Sequence, residues 1–121
     1  MRVRAVRGAI VVPEDLEASV HAATRRLLGS LLEQNEIATD DLISILFTAT
    51  DDLTSAFPAE AARRMGLGGV PLLCAREISV VGAMPSVVRI LMHFHSERPL
   101  DRVVHVYLDG AESLRDDFGE P

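Results

Sequence analysis

Arginine and tyrosine side chains near the end of the chain are the first candidates for chemistry. Residues 87–95 alternate on the two faces of a predicted strand, where Arg89 has aliphatic neighbours. If this strand forms a hairpin with a strand over 103–108, Arg89 lies diagonally beside Tyr107. A guanidinium and a phenol on one face suit the carboxylate of a small acid, since both donate hydrogen bonds. A surface arginine stacked on a tyrosine fits the pattern equally well.

Three histidines offer a different chemistry. The same hairpin, with His95 opposite Val103, sets His93 opposite His105, and three imidazoles on adjacent strands can hold a catalytic zinc ion. No acidic residue is clearly placed to orient the rings, and no HExxH-type spacing is present. We therefore predict no metal site here, and we expect satisfied or partly exposed histidines.

Cys74 and Glu77 lie three residues apart at the end of another predicted strand, within reach of a ligand hydroxyl. No Cys/His signature surrounds the cysteine, so a buried, inert thiol is favoured over a nucleophile. The chain has no GxSxG or GxGxxG motif, and all its 12 basic residues are arginine, which excludes lysine Schiff bases and P-loops. The usual routes to covalent, hydride or phosphoryl chemistry are therefore absent. What remains for Arg7, Arg63, Arg89, Glu77 and Tyr107 is ligand binding, or catalysis by positioning and electrostatics alone.

Hydrophobic periodicity predicts the elements that position these residues. Helical spacing over 15–33 indicates an amphipathic helix, and Pro58 begins a short helix that ends at Met65. Strands are predicted over residues 3–12, 42–50, 70–77, 87–95 and 103–108. Because strands and helices do not alternate regularly, we predict an α+β fold with a mixed sheet packed against helices.

Composition limits the class of protein. A chain of 121 residues predicts one domain over 1–121, and no apolar run approaches the length of a membrane span. The formal net charge of -6 argues against nucleic-acid and anionic-membrane partners. One cysteine excludes an internal disulfide, and residues 1–9 carry no signal-peptide pattern, so we expect a cytoplasmic protein.

Five ordered segments resemble the chorismate mutases of the AroH type. They are VRGAI around Arg7, DLTSAFPAEAAR ending at Arg63, VPLLCAREI over 70–78, VVRIL around Arg89, and PLDRVVHVYL over 99–108. The resemblance runs from residue 4 to about residue 118. It implies a homotrimer with a barrel-like core, active sites between neighbouring subunits, no cofactor, and the conversion of chorismate to prephenate in phenylalanine and tyrosine biosynthesis.

The resemblance also implies roles for individual residues. Arg7 and Tyr107 would hold the enolpyruvyl carboxylate, and Arg89 would reach that group and the ether oxygen. Glu77 and Cys74 would take the ring hydroxyl. Arg89, Arg7 and Glu77 are the implied catalytic residues. The remaining implied substrate contacts are Phe57, Ala59, Arg63, Leu72, Leu73, Ala75, Arg76, Leu114 and Arg115.

Two departures from the family pattern bear on the mouth of the implied site. Glu60 stands where some members place a lysine, so one cation is missing unless Arg63 and Arg115 compensate. The acidic C-terminal tail is short, which puts a lid role for it in doubt. A non-catalytic trimeric binding protein for an aromatic-pathway acid remains an alternative, because it would carry the same pocket residues.

Overall fold

A computed structural model describes residues 1–118 of the chain. In chain order the elements are β1 (Arg2–Val11), α1 (Glu17–Gln34), a 3-10 turn (Thr39–Asp41), β2 (Leu42–Ala49), α2 (Ala59–Arg64), β3 (Leu72–Arg76), β4 (Val87–Ser96), a 3-10 turn (Leu100–Arg102), β5 (Val106–Leu108) and a 3-10 helix (Glu112–Phe118). The five strands form one sheet in the order β3-β2-β4-β1-β5. Both helices and all five strands lie where the sequence predicts them, with ends shifted by at most three residues. The tail residues 119–121 lie outside the described range.

The strand pairing differs from the predicted hairpin. Strand β4 is antiparallel to both β1 and β2, and β5 is parallel to β1, so β1 separates β4 from β5. The pairings of His95 with Val103 and of His93 with His105 are therefore wrong. Residues 103–105 were predicted to belong to the last strand, but Val104 is instead hydrogen-bonded to the end of α1: it donates to Asn35 Oδ1 (2.7 Å), and its carbonyl accepts from Asn35 Nδ2 (2.9 Å).

The hydrophobic core lies between α1 and one face of the sheet. Residues at helical spacing on α1, among them Leu27 and Leu31, are fully buried against alternate residues of the central strands, such as Ile10 and Phe94. Gly8 of β1 lies where a side chain would meet these leucines, so the helix packs directly on the strand backbone. No helix within residues 1–118 is long and apolar enough to cross a bilayer.

The opposite face of the sheet carries no α-helix, and we call it the open face. Its residues on β1 and β4 include Val3 and Leu91, which lie on alternate positions from the core residues and are exposed. On the edge strand β3, Leu73 is likewise exposed. Arg89 of β4 lies on the same face, which therefore combines apolar and charged side chains.

Candidate active site

A row of residues crosses the open face at the level of Arg89. The strand registers pair Arg89 of β4 with Ala9 of β1 and with Thr48 of β2, Thr48 with Ala75 of β3, and Ala9 with Tyr107 of β5. Residues paired in this way point to the same face. Arg89 and Tyr107 thus lie on one face, as predicted, but on either side of small Ala9, so the predicted diagonal pair on neighbouring strands is wrong.

Glu77 is held beside Arg89 by strand β2. Its backbone N–H donates to the carbonyl of Ala49 (3.0 Å), and its Oε2 accepts a hydrogen bond from the hydroxyl of Thr48. The other carboxylate oxygen, Oε1, lies 3.5 Å from Nε of Arg89. The side chains of Arg89 and Glu77 keep 30% and 25% of their surface exposed, so a ligand can reach both.

Arg7 adds a second guanidinium to the open face. It pairs with Leu91 and so lies diagonally from Arg89, at a Cβ separation of about 7–8 Å. Its backbone N–H donates to Nδ1 of His105 (3.0 Å), which fixes the chain as it enters β5. Leu114 of the C-terminal 3-10 helix covers Ala9 and contributes an apolar wall. The geometry therefore brings together cationic donors, one carboxylate and one tyrosine.

A second cluster lies on the helix side of edge strand β3. Here α2 packs against α1, and Phe57, just before it, is 74% exposed. Ala59 is buried, and Arg63 forms an ion pair with Glu60 at 3.2 Å. Glu60, which stands where some members of the resembled family place a lysine, therefore also partly neutralises the charge of Arg63. A cavity of about 700 Å³ between α1, α2 and β3 is lined by Phe57, Glu60 and Cys74 among others.

The remaining predicted contacts are divided between these two clusters. Leu72 and Cys74 pair with core residues of β2 and so lie on the helix side, whereas Leu73 and Ala75 lie on the open face. The sequence suggested that Cys74 and Glu77 reach the same ligand hydroxyl. The structure instead places the Cys74 side chain on the helix side of the sheet, away from Glu77. Nε of Arg76 lies 3.5 Å from Oδ1 of Asp51, and its Nη1 donates to the carbonyl of Thr50 (3.2 Å). Arg76 therefore holds the loop that follows β2. Arg115 is exposed.

Two acidic residues that no sequence pattern singles out hold the loops around the clusters. Asp15 accepts hydrogen bonds from the backbone N–H groups of Thr54 and Ser55, just before Phe57. Asp52 accepts from the Thr50 hydroxyl and from the backbone and side chain of Ser86, which has a left-handed backbone with φ of 57°. The Thr50 hydroxyl above all lowers the pKa of Asp52 below its ordinary value, although partial burial opposes this.

The three histidines do not converge. His93 pairs with Ala5 and lies 3.2 Å from the Ser44 hydroxyl, His95 pairs with Val3, and His105 lies beyond β1. Among residues 1–118, no group of three or more His, Cys, Asp or Glu side chains is placed to hold a metal ion. The geometric basis for a three-histidine zinc site, which required adjacent strands, is thus absent from the described structure.

Fold and site together define a small α+β domain that presents arginines and a fixed carboxylate to a small anion bearing a hydroxyl group. Residues 3–118 match the family model for chorismate mutase type I. The curated chorismate mutases AroH of Thermus thermophilus and Bacillus subtilis (strain 168) are 53% and 36% identical, with 96% and 98% of this chain and 96% and 94% of those proteins covered.

A solved structure leads to the same assignment. The chorismate mutase from Clostridium thermocellum superposes with a TM-score of 0.89 at 41% identity, covering 90% of this chain and 97% of that one. The chain therefore belongs to the chorismate mutase type I family. The predicted AroH-type family, the α+β class and the function as a chorismate mutase are confirmed, and the alternative of a non-catalytic binding protein is not favoured.

Proposed function

We propose that this chain rearranges chorismate to prephenate by positioning and electrostatics, with no cofactor and no covalent intermediate. The observation that carries the mechanism is the guanidinium of Arg89 on the open face, beside Glu77 and in one row with Tyr107. In the [3,3] rearrangement an ether C–O bond breaks while a C–C bond forms, and no proton moves. The enzyme therefore accelerates it by holding the compact conformer and by stabilising negative charge on the ether oxygen.

Each open-face residue has a part in that mechanism. Arg7 and Tyr107 bind the enolpyruvyl carboxylate, since both lie on the open face on the same side of Arg89. Arg89 donates to the ether oxygen as charge grows there, because its partly exposed guanidinium is a cationic donor that a ligand can reach. Glu77 accepts the hydrogen bond of the ring hydroxyl. Leu114 closes the site beside Ala9.

The same proposal includes a homotrimer whose sites lie between subunits. In one chain, the cluster around Phe57 and Arg63 and the cluster around Arg89 lie on opposite sides of β3. We infer that the two clusters at one site come from different chains. The exposed apolar residues of the open face, including Val3 and Leu91, favour burial against a second copy.

Turnover of chorismate tests the assignment directly. We expect chelator-treated protein to consume chorismate and form prephenate, and Arg89→Ala to lower kcat by about a hundredfold to a thousandfold because it removes the donor at the developing charge. Arg25→Ala, on the exposed side of α1, is the matched control and should retain full activity. A folded wild-type protein that binds chorismate but leaves it unchanged would instead establish the binding-protein alternative.

Mixing two inactive variants tests the shared site. We expect Arg89→Ala and Phe57→Asp to be inactive alone, since each destroys one of the two clusters. After unfolding and refolding together, randomly mixed trimers should regain about a quarter of the wild-type sites, because some subunit interfaces then combine two intact halves. The double variant Arg89→Ala/Phe57→Asp refolded with itself is the control. Mixtures that stay inactive, with trimers formed, would place both clusters in a single-chain site.

We also propose a cytoplasmic location. Its support is the single cysteine, Cys74, which is a free thiol in the structure, as reducing compartments allow. Fractionation of cells that express the tagged protein would test this, and recovery of the activity outside the cytoplasm would refute it.

A further inference from the structure

Thr48 is a third partner in the contact between Glu77 and Arg89. It lies directly opposite Arg89 in the β2–β4 register, and its hydroxyl donates to Oε2 of Glu77. Nothing in the sequence pattern assigns it a role. Because threonine is branched at Cβ, its side chain has few rotamers, and its hydroxyl is held rigidly to β2. Its neighbour Ala49 accepts the backbone N–H of Glu77, so β2 fixes both the main chain and the carboxylate of that residue.

The contact that remains between Glu77 and Arg89 is weak. Arginine and carboxylate groups usually pair through two parallel N–H···O bonds, which would engage both carboxylate oxygens. Here Oε2 accepts the hydrogen bond of Thr48, and the recorded approach of Oε1 to Arg89 is to Nε, at 3.5 Å, with no hydrogen bond between the two side chains. Within residues 1–118, Arg89 has no other ion pair with a carboxylate. Its terminal nitrogens are therefore not taken up by Glu77.

We propose that Thr48 is a positioning residue, which holds the Glu77 carboxylate away from a two-bond pair with Arg89 and so keeps the guanidinium available to the substrate. This inference rests on the proposed function and deepens it. Without the hydroxyl, Glu77 can turn and close on Arg89. The substrate then has to break that pair, and the loss is largest in the transition state, where Arg89 meets the growing negative charge.

The decisive substitution is Thr48→Val, which removes the hydroxyl and keeps the shape. We expect kcat to fall about tenfold, the effect of one hydrogen bond to a charged group, with KM changed less than about threefold. Thr48→Ser keeps the hydroxyl and should restore kcat to within about threefold of wild type. Thr24→Val makes the same atomic change at a buried position of α1 and should leave both kcat and KM unaltered. Wild-type kcat in Thr48→Val would overturn the inference.

A double-mutant cycle separates positioning from a general structural effect. If Thr48 acts only through the carboxylate, Thr48→Val should have no further effect on kcat in a Glu77→Ala background. An equal loss in both backgrounds would show that Thr48 acts by another route, and would overturn the proposal. Thermal unfolding of each variant, at equal protein concentration, shows whether a kinetic loss merely reflects lost stability.

A measurement that needs no turnover keeps the two proposals distinguishable. The NMR signals of Arg89 in ¹⁵N-arginine-labelled protein are assigned by their loss in Arg89→Lys. They report the rate of the rotation that exchanges the two terminal guanidinium nitrogens. We expect this rotation to be faster in wild type and Thr48→Ser than in Thr48→Val, where Glu77 pairs with both nitrogens. Unchanged rotation in Thr48→Val would refute the positioning role. A wild-type protein inactive on chorismate would refute the proposed function, while this readout would still decide the role of Thr48.

Discussion

Gly8 offers the sharpest test of how β1 packs. A Cβ atom built on this residue would lie 2.9 Å from the carbonyl oxygen of Val106 and 3.0 and 3.1 Å from methyl groups of Leu27 and Leu31. The leucine methyl groups can rotate away, but the carbonyl belongs to the backbone of β5 and cannot. Gly8→Ala must therefore push β5 away from β1 or strain the pairing.

The expected magnitude combines two opposing terms. Inserting a carbon into a close-packed region costs about 1–3 kcal/mol. Replacing glycine by alanine lowers the entropy of the unfolded chain, which stabilises the native state by about 0.4–1 kcal/mol. We therefore expect Gly8→Ala to lose about 1–2 kcal/mol of unfolding free energy. Because Tyr107 follows Val106, the displaced strand should also weaken substrate binding.

Denaturant unfolding of wild type, Gly8→Ala and Gly29→Ala at one protein concentration measures these effects. Gly29 lies within α1, and a Cβ atom built on it would have no neighbour within 4 Å, so alanine there should stabilise the protein by up to about 1 kcal/mol. The same chemical change should thus have opposite signs at the two sites. If Gly8→Ala were as stable as Gly29→Ala, with unchanged kinetics, the close approach of β5 to β1 would be refuted.

Three further predictions concern stability. Thr24→Val should raise the unfolding free energy by about 1 kcal/mol, because the buried Thr24 hydroxyl has no hydrogen-bond partner within residues 1–118; calorimetry that shows a loss would contradict this. Asn35→Ala should cost about 2 kcal/mol and loosen Val104, which hydrogen exchange at that amide would report, with unchanged protection as the opposing result. Asp52→Asn should destabilise the protein by less than about 1 kcal/mol at neutral pH. The lowered pKa of Asp52 gives stability that is present above about pH 4 and is lost as the pH falls through the folded-state pKa, so the two unfolding curves should converge in acid and a constant gap would refute the role.

The elements could be predicted because each has a clear local period, whereas the sheet order depends on contacts that no local pattern records. Residues 103–105 look like a strand, but Val104 satisfies its backbone N–H and carbonyl through Asn35, 69 residues earlier. The turn-like segment 96–102 suggested a hairpin between the predicted strands 87–95 and 103–108, yet β1 occupies the position beside β4. A long buried strand with ten paired residues outweighs a short connection.

The candidate site was predictable where a charged residue interrupts an apolar strand. Arg89 stands out in this way and Glu77 by its place at the end of a predicted strand, and the structure places them together. Thr48 does not stand out, since threonine is common in strands and its role depends on facing Arg89 across β2 and β4. The sequence also did not predict that Phe57 and Arg89 lie on different sides of β3. Alternation along β3 distinguishes two faces but does not show which face is covered by a helix.

The central position of β1 has a consequence for how the chain is made. Strand β1 is the first synthesised, but its two neighbours, β4 and β5, begin at residues 87 and 106. The backbone groups on both edges of this ten-residue strand therefore stay unpaired during most of translation, while α1 can already cover one face. Unpaired strand edges are where nascent chains associate wrongly. Arg2, Arg4 and Arg7 give this strand like charges, and charged side chains on an unpaired strand oppose such association.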